Sequence, residues 1–147
     1  MSKVAAYYHV VFCTKHRKMT LPLEYREDLY RFIWKLILEA KCKLIRVGGI
    51  QNHVHILFDL HSDVALSSII QAIKSRSSGW MVRDGRFPQF EGWASGYFAC
   101  SISPEERPRV IEYIKNQQEH HLGHCLDDEV ERLYRYAGID YDERDMR

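Results

Sequence analysis

The chain has 147 residues, 46 % hydrophobic and 28 % charged, with a formal net charge of +1. That composition suits a globular protein with a real core and excludes a low-complexity or fibrous chain. With near-zero net charge, any contact to nucleic acid must come from local clusters of cations rather than from a global field.

The first segment, 5–13, reads as a strand because it is rich in aromatic and β-branched residues (Ala-Tyr-Tyr-His-Val-Val-Phe-Cys). A basic turn follows at Lys15, His16, Arg17 and Lys18. Residues 23–41 read as an amphipathic helix, with Leu29, Phe32, Ile33, Leu36 and Ile37 on one stripe. Residues 43–50 and 53–60 read as two strands of a hairpin joined tightly at Gln51-Asn52. Gly48-Gly49 suggests a bulge or bend near the end of the first of them.

A second helix is expected over about 65–83, with Asp63 as its cap and Leu66, Ile69, Ile70 and Ile73 on its apolar face. A loop with Pro88 and two glycines spans 85–92, and 96–102 reads as a fourth strand. Ser103-Pro104-Glu105-Glu106 then marks a helix start by capping box and early proline, and that helix is expected to run to about His121. The last segment, 126–147, reads as a short helix and a tail.

The order β-α-β-β-α-β-α predicts an α+β fold of the ferredoxin-like, split β-α-β type. In it an antiparallel sheet carries two helices on one face, and a C-terminal helix is left to cover or complete a site on the other. One domain is expected over 1–147, with a core of about 5–121 and a helix and tail over 122–147.

Four cysteines occur, none in a C-x-x-C pair. No leader and no apolar run near the roughly 20 residues of a membrane span are seen. A cytoplasmic protein with reduced thiols and no membrane association is the expectation.

Side chains alternate along a strand, so His53 and His55 share a face while Val54, Ile56 and Phe58 share the other. Two imidazoles so placed can converge on one metal ion; equally, both can be surface groups without a joint role. His9 reads as a structural histidine or one that supports such a site. On the third helix Tyr113 and Gln117 are one turn apart and share a face. A tyrosine can serve as a covalent nucleophile, and a glutamine carbonyl oxygen suits a hard cation. With nine tyrosines in the chain, packing of Tyr113 beside Val110 and Ile114 is the plain alternative.

Candidate phosphate contacts are Lys15, Arg17 and Lys18 in the basic turn and Lys74 and Arg76 on the second helix, against a solvated charged surface as the alternative. His120, His121, His124 and Cys125 form another cluster, whose geometry Gly123 would spoil. Trp80, Phe90 and Trp93 are candidates for base stacking or for the core.

Four runs together resemble the small single-tyrosine insertion-sequence transposases of the HUH endonuclease superfamily. They are Tyr8-His9-Val10-Val11-Phe12-Cys13-Thr14-Lys15, His53-Val54-His55-Ile56-Leu57, Trp93-Ala94-Ser95-Gly96-Tyr97-Phe98 and Tyr113-Ile114-Lys115-Asn116-Gln117, in the family's order. The C-terminal run Ala137-Gly138-Ile139-Asp140-Tyr141-Asp142-Glu143 is similar to a subgroup that includes the REP-associated tyrosine transposases.

The resemblance implies Tyr113 as nucleophile, and His53, His55 and Gln117 as ligands of magnesium or manganese. It implies cleavage and rejoining of hairpin-marked single-stranded DNA through a 5′-phosphotyrosine link, by a homodimer. The family often carries Pro-Asp before the first histidine, where this chain has Gln51-Asn52. Two alternatives stand beside it. One is a domesticated module that binds single-stranded nucleic acid without chemistry; the other is a metal-dependent hydrolase of small phosphate esters.

Overall fold

The structure is a computed structural model that describes residues 1–120 and 125–147, apart from the side chains of 119 and 120. The cluster expected at His120, His121, His124 and Cys125 therefore lies largely outside the described residues.

Strands β1 (Tyr7–Cys13), β2 (Lys43–Ile50), β3 (His53–Asp59) and β4 (Phe98–Ile102) form one sheet in the order β2-β3-β1-β4. Every neighbouring pair is antiparallel. Helix α1 (Leu23–Glu39) links β1 to β2, and α2 (Leu66–Asp84) links β3 to β4. This is the split β-α-β arrangement that the element order predicts.

The period-2 alternation of the two central strands decides what lies on each face. Val10, Phe12, Val54, Ile56 and Phe58 point to one face and pack against Ile33, Ile37, Ile70 and Ile73 of α1 and α2 in one buried cluster. The opposite face carries His53, His55, Val11 and Cys13, all fully buried. Helix α3 (Arg107–Lys115) covers part of that face, where Val110 and Ile114 meet Leu57 and Ile102. Helix α5 (Leu126–Ala137) covers another part, where Leu126, Val130 and Tyr134 meet Val11, Cys13 and Phe98. The histidine pair is thus sealed between the sheet and two helices.

Three local expectations are corrected. The long third helix comes in pieces. A capped 3-10 turn at Pro104–Glu106 leads into α3, which stops at Asn116 (φ −96°, ψ 20°), and α4 (Gln117–His120) follows. Asparagine is a weak interior helix residue because its short amide competes for backbone groups. Helix α2 starts without a side-chain cap at Ala65, and the Asp63 amide instead donates to His61 Nδ1 at 3.1 Å.

The register shift of β2 falls between Leu44 and Arg46, not at the glycines. Gly48 and Gly49 pair regularly with His55 and Val54. They serve close approach instead: a Cβ on Gly49 would stand 2.1 Å from the His53 carbonyl oxygen, and one on Gly48 2.9 Å from that of Ile114.

Among the described residues no helix is long and apolar enough to cross a membrane.

The backbone clash at Gly49 cannot be relieved by a side-chain rotation. Gly49→Ala is expected to lower stability by about 1–3 kcal/mol, as other forced overpacking does. Denaturant unfolding checks it, and an unchanged midpoint would show that the hairpin tolerates a wider spacing.

Candidate active site

His53 and His55 reach the site because β3 is a central strand and both lie on its non-core face. Their rings are held from behind. His53 Nδ1 lies 2.9 Å from Asn52 Oδ1, and Asn52 Nδ2 donates to the Arg17 carbonyl at 3.3 Å. The amide nitrogen is committed to Arg17, so the amide oxygen faces the imidazole and His53 Nδ1 must carry a hydrogen. His55 Nδ1 lies 2.8 Å from Nε2 of His9, which stands on the neighbouring strand, and the two rings stack at 5.1 Å. His9, with no local partner in the sequence, finds one through the sheet register.

Gln117 is almost wholly buried and brings Oε1 to 2.9 Å from His53 Nε2. Its amide nitrogen is turned away, 3.0 Å from Glu129 Oε2 and 3.4 Å from the Tyr113 carbonyl. The break at Asn116 does not separate Gln117 from Tyr113. Both meet the same carboxylate, because the Tyr113 hydroxyl donates to Glu129 through a short hydrogen bond.

Glu129 is the residue that sequence reasoning missed. It is fully buried, with Oε1 3.0 Å from His53 Nε2 and 3.2 Å from His55 Nε2. It rides on the first turn of α5 with Asp127 and Asp128, a place where acids suit the helix N-terminus whatever else they do. One signal was present. Glu129 adjoins the apolar stripe Leu126, Val130, Tyr134, so it is an acid on the buried face of its helix. His53, His55 and Glu129 form a group whose ligand atoms lie within 4.8 Å of one another and which could hold a metal ion.

Burial dominates the electrostatics. It holds His53 below the ordinary histidine range, against the opposing hydrogen bond from Glu129. It also depresses His9, to about 3, with the neighbouring His55 adding to the effect. Burial, reinforced by the Glu129 charge and hydrogen bond, pushes the Tyr113 phenol well above its usual value.

The sequence-nominated cations are placed differently. Arg17 is buried and binds the C-terminal tail, pairing with Asp127 and donating to the Asp145 carbonyl at 2.9 Å. Lys18 pairs with Glu91 at 3.1 Å, and Lys15 is exposed. Lys74 donates to the carbonyls of Ala94 and Gly96 at 2.7 and 2.8 Å, and Arg76 pairs with Glu39 at 2.9 Å. Both of these stand on α2, across the sheet from the histidines. The stacking candidates are packed: Trp93 sits edge-on to Phe12 and Phe90, and Trp80 stacks on Phe32.

A histidine whose folded pKa is depressed favours the native state above its unfolded value. That contribution is lost as the unfolded chain alone takes up the proton. For His9 the window runs from about 6.5 down to about 3. The metal-free protein is expected to lose thermal stability steadily across it, and less so as His9→Phe. Melting curves from neutral to acid pH check this; parallel curves for the two proteins would remove His9 from the account.

The comparisons with known proteins bear on this geometry. The family model described as IS200-like transposase matches residues 2–117. The transposase of insertion sequence element IS200 from Salmonella typhimurium is 23 % identical over 117 residues, covering 76 % of each chain. A candidate transposase of known structure from Deinococcus radiodurans matches with a TM-score of 0.63 at 22 % identity, over 80 % of this chain and 95 % of that one. A REP-associated tyrosine transposase bound to a REP hairpin matches with a TM-score of 0.59 at 18 % identity, over 82 % and 74 %. The matched span carries both histidines, the tyrosine and the glutamine, and the chain belongs to the IS200-like transposase family, a family of DNA-cleaving enzymes.

Proposed function

We propose that this protein cuts and rejoins hairpin-marked single-stranded DNA through a covalent link to Tyr113, with a divalent metal ion, magnesium or manganese, held by His53, His55 and Gln117. The observation that carries this reading is the meeting of the Tyr113 hydroxyl and these three donors around one buried carboxylate, Glu129. A hairpin substrate is supported by the structural neighbour that binds one. A homodimer is the assembly that the family resemblance implies.

The donor set fits a cation. With Nδ1 protonated toward Asn52, neutral His53 turns its Nε2 lone pair toward Gln117 Oε1 at 2.9 Å and Glu129 Oε1 at 3.0 Å. Three lone-pair atoms then face one another, an arrangement that a cation held there satisfies. A proton on Nε2 would serve, but burial opposes it. A divalent ion held by His53, His55 and Gln117 would draw charge from the scissile phosphate and steady the leaving oxygen.

The remaining steps belong to the chain itself. Tyr113 Oη attacks phosphorus, forming an Oη–P bond as the P–O3′ bond breaks. The phenolic proton passes to the Glu129 carboxylate that already accepts it, and the freed 3′ oxygen takes a proton from solvent. Attack by a second 3′ hydroxyl on the phosphotyrosine reverses the sequence and joins two strands without ATP. In this arrangement burial and the Glu129 charge keep the Tyr113 phenol protonated.

Single-stranded oligonucleotides covering both flanks of the gene, mixed with protein and manganese, are expected to give a shifted band on a denaturing gel. The band should vanish on chelation and in Tyr113→Phe. Its survival in that variant would move the nucleophile elsewhere, and hairpin binding without any band would favour a binding module.

Asn52→Leu removes the oxygen that sets the His53 tautomer. It is expected to weaken manganese binding about 10–100-fold, the usual effect of losing such a supporting partner. Titration calorimetry reads this without any DNA, and unchanged affinity would mean that the tautomer is set without Asn52.

A further inference from the structure

A cavity of about 440 Å³ wraps the edge strand β2, walled by α1 on one side and by the α3–α4 junction on the other. Gln117 lines it, so it opens beside the donor set. Gly48 and Gly49 line it as well, leaving the β2 backbone bare of side chains there. Arg26, Arg46 and Lys115 face the cavity against a single acid, Glu27.

Arg26 is the telling residue. It is 5 % exposed, yet its Nε has no hydrogen-bond partner among the described residues. Its Nη1 makes a long bond of 3.4 Å to the Gly49 carbonyl, and its fork also engages Tyr30. An unsatisfied buried donor is unfavourable, and the guanidinium fork matches the two free oxygens of a phosphodiester. A second cavity, about 190 Å³, lies on the other side of the site and is lined by Tyr113, His9, Phe98 and Arg109. Gln117 borders only the first cavity and Tyr113 only the second.

We propose that the Arg26 cavity holds the DNA strand on the leaving-group side of the cut, the strand that ends in the released 3′ hydroxyl, with its phosphates against Arg26, Arg46 and Lys115. This rests on the strand-transfer reading. In-line displacement sets the attacking and leaving oxygens on opposite sides of phosphorus. Tyr113 attacks from the side of the smaller cavity, so the 3′ oxygen departs toward Gln117 and the cationic cavity. The strand tied through its 5′ phosphate stays beside Tyr113. Keeping the free 3′ end in a cationic cavity retains it for the rejoining step.

Removing buried Arg26 risks the fold, so the test uses the exposed pair, Arg46→Ala with Lys115→Ala, in full-length Tyr113→Phe protein. Fluorescence anisotropy measures binding of labelled single-stranded flank DNA over a range of salt. About tenfold weaker binding is expected, with a salt slope shallower by about 1 per cation removed.

A scan of methylphosphonates along the DNA then locates the contact. Neutral positions that add nothing to the loss in the double variant should fall on the 3′-hydroxyl side of the cut. Unchanged DNA affinity overturns the proposal, as does a contact mapping to the 5′-phosphate side. A changed sedimentation coefficient at unchanged DNA affinity would make the cavity an interface between copies and overturn it as well.

Adduct formation by protein with Tyr113 intact is scored separately. An adduct with unaltered binding sinks the cavity assignment and leaves strand transfer standing. Weakened binding with no adduct from any flank sinks strand transfer and with it the assignment to the leaving-group side, leaving the cavity a DNA contact alone.

Discussion

A carboxylate cannot be buried without partners, and Glu129 is buried completely. Its partners come from everywhere else in the site: two imidazoles of β3, the amide of Gln117 and the hydroxyl of Tyr113. This one group ties α5 to the sheet and to the helix that carries the tyrosine. It also concentrates negative charge at the point where both imidazoles, the glutamine amide and the tyrosine hydroxyl converge.

The ring of support behind the histidines follows the same logic. Each imidazole has one nitrogen aimed at the centre and the other held by a polar neighbour, Asn52 for His53 and His9 for His55. A polar group in a dry site is oriented by what remains for it to bond. The amide oxygen of Asn52 holds the ring by accepting a hydrogen without adding a charge. Arg17 extends the chain of support, since its carbonyl orients Asn52 while its guanidinium holds the C-terminal tail.

Much of this was legible in the sequence because periodicity is a local property. The alternation of His53 and His55 against Val54, Ile56 and Phe58 could only mean a strand with one core face, and the one-turn spacing of Tyr113 and Gln117 put both on one helical face. Other features were not local. Gly48 and Gly49 looked like a bulge, but their reason is the carbonyls of His53 and Ile114 pressing on them. Arg17 looked like a DNA contact, and only the fold shows that Asp127 and the Asp145 carbonyl claim it.

The sequence by itself determined the order of elements, the split β-α-β sheet and the residues of the histidine and tyrosine motifs, since each depends on spacing along a few consecutive residues. Only the tertiary structure decided what completes the site. Glu129 stands 74 residues from His55 along the chain, and nothing in the spacing of either segment encodes that they meet. Packing of α5 on Val11, Cys13 and Phe98 brings the carboxylate there. Contacts between distant segments are set by which apolar faces close on one another, a property of the whole chain rather than of any window of it.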